Sequence, residues 1–282
     1  MTGAWEPIRE AHSIESVAAV VAFPSPLNDT MLRKVLRAVD ASADKLRLPT
    51  RETITGFQFN IGPAGPLMPV TPTVDHAPMM GVVFKRNEIE SVSGLTTTVA
   101  AEEFQIGRQA LVYNTVRYDR WRLYQERLQE LLTPTLTAAL AGANVAHLRL
   151  EYRDRFIFSG EPSEASTSAL LRQGCNLIAP HVFGQSGLWH SHTGMFVSAD
   201  GAQKRLVQIL IDANDVTVAD SPAVRRSISI VTGVQDFFEV EGAEAVDQDA
   251  SNLVAQFVKL HDASKELFKD MLTEVARKRV GL

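Results

Sequence analysis

His190 and His192 lie two residues apart in Leu188-Trp189-His190-Ser191-His192-Thr193-Gly194-Met195-Phe196, the run of this chain densest in chemically capable side chains. On a strand, residues two apart project from one face of the sheet. Two imidazoles so placed have the spacing of metal ligands or of an acid–base couple, provided a carboxylate joins them. Asp212 and Asp215 in Ile211-Asp212-Ala213-Asn214-Asp215, and His261 and Asp262 further on, are the candidate partners. A metal-assisted hydrolase or nuclease would use His190 and His192, with Asp212, Asp215, His261 or Asp262 completing the site. Each group also has a plainer reading. Asp212 and Asp215 lack the glycine and remaining ligands of a calcium loop, and suit a strand exit with Asx turns. His261 and Asp262, adjacent on a helix, point about 100° apart and cannot form one dyad.

The neighbouring turn decides between these readings. Asp200-Gly201 between two apolar runs signals a two-residue type I′ hairpin. Such a turn puts Trp189 opposite Asp212, His190 opposite Ile211 and His192 opposite Ile209. The acid then stands behind the sheet from both rings, so the expectation is a structural, hydrogen-bonded histidine pair and no metal or other cofactor.

A second feature is different in kind. Pro63, Pro66, Pro69 and Pro72 recur at intervals of three in a segment without charge, and polyproline II has three residues per turn. The four rings would form one ridge able to dock in an aromatic groove of a protein partner, or the loop folds back over its own sheet. Arg149, Arg153 and Arg155 share a strand face with Glu151 and read as a solvated or cross-strand-paired surface. Cys175 has no neighbouring cue for a lowered pKa and reads as a buried thiol. A Gly-rich phosphate loop, Cys/His zinc spacing and a Gly-x-Ser-x-Gly nucleophile turn are all missing, which lowers the enzyme reading.

These groups must be held by a folded frame. The chain has 282 residues, 45% of them hydrophobic, enough for one large domain or two modest ones. With 28 basic and 33 acidic residues and no run of Lys or Arg, the balance of charge argues against nucleic acid as a partner. The single cysteine permits no intrachain disulfide and fits a reducing compartment. No apolar run approaches the ~20 residues of a membrane span, and the expected location is the cytoplasm.

Periodicity predicts strands near 17–23, 54–61, 80–84 and, as one longer stretch, 95–118. It predicts a helix capped by Asn28 or Asp29, with the stripe Leu32, Val35, Leu36 and Val39. A second helix follows Asp119, with Pro134 kinking or breaking it. The order then restarts: an alternating strand at 147–158, a short helix at 164–172, strands near 187–197, 205–212 and 226–237, and a final helix of ~30 residues from Asp249. Its stripe is Leu253, Phe257, Leu260, Leu267, Met271 and Val275. The expected fold class is α+β, largely antiparallel sheet with long packing helices. The expected units are 1–143 and 144–282, a pseudo-duplication of strand, helix, strands and helix.

Four segments taken together carry a resemblance: Glu10-Ala11-His12-Ser13-Ile14-Glu15, Tyr118-Asp119-Arg120-Trp121, Leu150-Glu151-Tyr152-Arg153-Asp154-Arg155-Phe156 and Trp189-His190-Ser191-His192-Thr193-Gly194. In this order the chain resembles a sporadically distributed bacterial family of uncharacterised proteins of similar length. That family has no assigned reaction, so the resemblance implies no catalytic residue here. Its patchy distribution implies a context of horizontally mobile genes such as defence and toxin–antitoxin genes. Three functions follow as expectations. The first is a non-enzymatic protein-binding or scaffolding role through the ridge Pro63, Pro66, Pro69 and Pro72 and the last helix, including self-association as a homodimer. The second is the metal-assisted hydrolase or nuclease. The third is a small-ligand receptor in a curved sheet roofed by helices.

Overall fold

The computed structural model describes residues 3–55, 79–92, 95–200, 202–217, 223–238 and 248–282. In chain order the elements are β1 (Trp5–Pro7), β2 (Ile14–Ala22), α1 (Asp29–Lys45), β3 (Thr50–Thr55), β4 (Met79–Val92), β5 (Leu95–Gly107), β6 (Ala110–Thr115), α2 (Trp121–Ala139), β7 (His147–Phe158), α3 (Thr167–Leu170), β8 (Trp189–Val197), β9 (Lys204–Thr217), β10 (Val224–Phe237), α4 (Ala250–Met271) and α5 (Glu274–Arg279). Proline-led 3-10 turns at Pro162–Glu164 and Pro180–Gly184 flank α3. All ten described strands join one sheet, ordered β3-β4-β5-β6-β2-β7-β10-β9-β8 with β1 also on β7. Every described pairing is antiparallel. The fold is therefore α+β with a large antiparallel sheet.

Alternation builds the centre of this sheet. Along β7, Leu148, Leu150, Tyr152, Asp154, Phe156 and Phe158 are buried, while the residues between them are half-buried or exposed. Its neighbour β2 follows the same rule, with Val17, Ala19 and Val21 turned inward and paired against Tyr152, Leu150 and Leu148. The inward side chains meet the apolar stripes of the helices: Leu32, Val35 and Val39 of α1, Leu128, Leu131 and Leu132 of α2, and Leu253, Phe257 and Leu260 of α4. A second cluster under α3 and the end of α4 gathers Trp5, Phe156, Leu171, Ile209, Ile211, Ile230 and Met271. Each fully buried Leu or Ile contributes roughly 1.5–3 kcal/mol by leaving water.

The helix starts follow from their caps. Asn28 accepts from the Met31 amide at 2.9 Å, and Asp249 accepts from the Ser251 and Asn252 amides at 2.8 and 3.1 Å, each satisfying orphan donors of a first turn. Other expectations are corrected. The stretch 95–118 is two strands, β5 and β6, reversed at Arg108 and Gln109. Helix α2 runs through Pro134 to Ala139. In the turns around the proline, the Thr135 and Thr137 hydroxyls donate to the carbonyls of Leu131 and Thr133. The last helix stops at Met271, where the backbone turns extended at Leu272 to bridge Leu171 and the Thr273 amide donates to the Leu170 carbonyl at 2.9 Å. Thr273 then caps α5, on which Val275, expected in the buried stripe of the last helix, is instead 65% exposed. The residues predicted as strand at 56–61 lie outside the described residues. Among the described residues no helix is long and apolar enough to cross a membrane.

Candidate functional site

Three of the four sequence segments quoted above converge at the middle of the sheet. The lead-in to β2 carries His12 and Ser13, and the lead-in to α2 carries Tyr118, Asp119, Arg120 and Trp121. From β7 come Tyr152 and Asp154, two residues apart and so on one face. Thr232 of β10 stands directly opposite Tyr152. Over them lies α4, whose His261, Ser264, Lys265 and Phe268 follow the i, i+3, i+4, i+7 spacing of a single helix face. Together with residues 280–282 they line a cavity of about 460 Å³.

The walls are aromatic and interlocked. Tyr118 and Tyr152 meet edge to face at 5.9 Å, and the His261 imidazole stacks on Trp121 at 4.1 Å with 4° between the planes. The Tyr152 hydroxyl shares a hydrogen bond of 2.9 Å with His261 Nδ1. On the other side, the Ile14 amide donates to His12 Nδ1 at 3.2 Å. That leaves Nε2 as the protonated nitrogen, which donates to the Tyr118 carbonyl at 3.0 Å. Burial pushes His261 down to about 4, and desolvation also lowers His12, so both rings are neutral near pH 7. Burial raises Tyr118 to about 12 and Tyr152 well above its usual value.

Asp154 is the most unusual member. It is 2% exposed, its Oδ1 accepts from the Ser13 hydroxyl at 2.7 Å, and among the described residues no Lys or Arg compensates it. Desolvation raises its pKa to about 7, against the smaller opposing effect of the Ser13 bond. Two further polar groups are unmet. The hydroxyls of Thr232 and Ser264 are buried without a hydrogen-bond partner among the described residues. Buried hydroxyls normally find partners, so two unmet ones on residues that line the same cavity as a lone carboxyl single out this part of the molecule. His261 Nδ1 is already engaged by Tyr152 and the Ser13 hydroxyl by Asp154, so neither of these atoms belongs to a serine–histidine nucleophile pair among the described residues.

The residues singled out from the sequence are placed elsewhere, His261 excepted. Strand β8 ends at Val197 and β9 begins at Lys204, so residues 198–203 form a longer connection than a two-residue turn; Gly201 itself lies outside the described residues. The register consequently slips by one, which in a strand changes which residues share a face. Trp189 faces Ala213, His190 faces Asp212 and His192 faces Leu210, correcting the expectation that Asp212 stands behind the rings. His190 and His192 are exposed on the face away from the helices, while Trp189 and Ser191 point to the core side. Asp215 pairs with Arg226 at 2.6 Å, and Asp262 is exposed. Among the described residues no group of three or more His, Cys, Asp or Glu is placed to hold a metal ion. Pro63, Pro66, Pro69 and Pro72 lie outside the described residues. Arg149 pairs with Glu151, Arg155 with Glu15, and Cys175 is free and buried.

A second depression of about 650 Å³, between β4, β5, β6 and the start of α2, is built around Glu102. Glu102 is also 2% exposed, but Arg127 grips it through two hydrogen bonds of 2.7 and 2.5 Å, Tyr113 donates at 2.6 Å and Arg86 lies at 3.3 Å. Arg117, Glu88 and Glu90 extend the network. Its charges answer one another, although the Arg86 Nε is buried without a hydrogen-bond partner among the described residues.

Comparison of the chain with protein-family models and with curated proteins gives no match.

Proposed function

We propose that this chain is a binding protein for a small molecule held between the centre of the sheet and α4. The observation that carries this reading is that Thr232 and Ser264, whose buried hydroxyls have no partner among the described residues, both line one aromatic cavity. Leaving such groups unmet costs about 1–3 kcal/mol each, a cost the fold need not carry unless a ligand meets them. The cavity volume is within the range of small-ligand sites. The engaged state of His261 and Ser13 favours recognition over catalysis. On this reading the two halves, 1–143 and 144–282, are related units that share the site at their junction. The test is a thermal-shift and calorimetric screen of a chemically mixed small-molecule library. Ligands should raise the melting temperature in the wild type and lose that effect in Ser264→Phe, which fills the cavity; ligands that stabilise both proteins equally would dismiss the site.

A second reading, self-association, is favoured by one observation. Strand β8 closes one end of the described sheet, and Leu188, Met195, Phe196 and Val197 on and beside it are 59, 38, 62 and 39% exposed. An apolar edge strand is a template for pairing with another chain. Sedimentation of the wild type beside Phe196→Lys tests it: a dimer that the substitution dissolves supports the edge, and a wild-type monomer at high concentration refutes it.

A further inference from the structure

The cavity floor has a definite chemical polarity. Its deepest charged group is Asp154, 2% exposed, and its two unpartnered groups are hydroxyl oxygens able to accept a hydrogen bond. Asp154 of β7 and Thr232 of β10 both point to the helix side, and their strands are paired so that Thr232 is one alternate position along from the partner of Asp154, Ile230. Ser264 approaches from α4. Three residues that carry oxygen acceptors thus line one cavity, framed by the rings of Tyr118, Tyr152 and Trp121.

Resting on the small-ligand reading above, we infer that the ligand is a primary amine whose ammonium group seats on Asp154, Thr232 and Ser264. A primary ammonium carries three N–H donors, one for each acceptor. It also supplies the positive charge that the buried carboxyl lacks, and a buried charge is tolerated only when paired. Aromatic faces beside it add cation–π attraction, which strengthens as water is excluded. The rival chemistries fit less well. An anion would press against Asp154, and the cations that might hold it, Arg120 and Lys265, are exposed at the rim. A neutral amide could meet the hydroxyls but would leave the carboxylate uncompensated. The rim itself is mixed, with Asp119 beside Arg120, so it does not select against a cation on charge.

The experiment is calorimetric titration of the full chain at pH 8 with a panel of alkyl- and arylalkyl-amines, each beside its matched alcohol and carboxylic acid. Amines are expected to bind at least about tenfold more tightly than their alcohols, the value of one charge-assisted hydrogen bond. Asp154→Asn should weaken amine binding about ten- to a hundredfold and leave alcohol binding unchanged. Thr232→Val and Ser264→Ala, which preserve the carboxyl, should each weaken it several-fold and keep the inference testable if Asp154→Asn misfolds. If alcohols or acids bind as well as amines, or Asp154→Asn keeps full amine affinity, the ammonium assignment falls while the cavity reading stands. If neither the panel nor the mixed library binds, both fall.

Discussion

Glu102 and Asp154 are equally buried on the helix-facing side of one sheet, yet the protein treats them in opposite ways. Glu102 receives a two-pronged Arg127, the Tyr113 hydroxyl and Arg86. Asp154 receives the Ser13 hydroxyl. The first arrangement is closed: its charge is answered within the chain, and removing a partner exposes the full desolvation cost of the other. The second is open, and it sits beside two more unmet polar groups. Burial alone therefore does not mark a site. What marks it is burial without an internal partner, concentrated around one cavity.

The sharpest way to break this contrast is to unbalance the closed cluster. Arg127→Ala should cost roughly 2–4 kcal/mol in urea unfolding, below the full cost of a buried pair because the guanidinium is 33% exposed. A loss under about 0.5 kcal/mol would show that Glu102 does not depend on it.

Asp154→Asn should do the reverse and stabilise the protein by about 1–3 kcal/mol at pH 8. The gain depends on pH in a defined direction. Because the folded carboxyl sits near 7 and its ordinary value is 3.8, the folded state holds the extra proton between them. Wild-type stability therefore declines as pH rises from about 4 to about 7 and is level above. The variant lacks that slope, so its advantage should shrink at pH 5; a constant advantage across pH would contradict the uncompensated carboxyl.

Thr232→Val, nearly the same shape without the hydroxyl, should raise stability by about 1 kcal/mol in the ligand-free protein, as should Ser264→Ala to a smaller extent. A drop in melting temperature for both would mean that these hydroxyls are satisfied in solution. The smallest effect belongs to His261. Its folded value near 4 lies below the ordinary 6.5, so the folded state excludes the proton and stability is lost as pH falls between them. In the Asp154→Asn background, where the opposing slope is absent, that loss should be under about 1 kcal/mol given the partial exposure of the ring. His261→Gln should remove it, and an unchanged slope would reassign the titration.

How much of this was legible in the sequence differs between frame and site. The alternation of 147–158, the stripe of α1 and the helix starts at Asn28 or Asp29 and near Asp249 are local patterns, and the structure follows them. The β8–β9 register was not legible, because one added residue in a turn flips every partner and the Asp-Gly pair does not set the loop length. The break at Leu272 was hidden for a related reason, since the backbone there bonds to a segment about a hundred residues away. The cavity was written in the sequence at one point only. Asp154 occupies an inward position of an otherwise apolar alternation, where a charged residue contradicts the pattern. The contradiction was the signal. His261 was a candidate, but its partners Trp121 and Tyr152 lie more than a hundred positions away, beyond any local pattern.

The seam where Val17, Ala19 and Val21 lie against Tyr152, Leu150 and Leu148 has a practical corollary. Cutting the backbone in the connection between Ala139 and His147 would yield two fragments, each ending its own run of strands with a raw, apolar border. Made separately, such pieces should precipitate. Made together, they should find each other and rebuild the whole, a split reporter whose reassembly also recreates the pocket from both contributors.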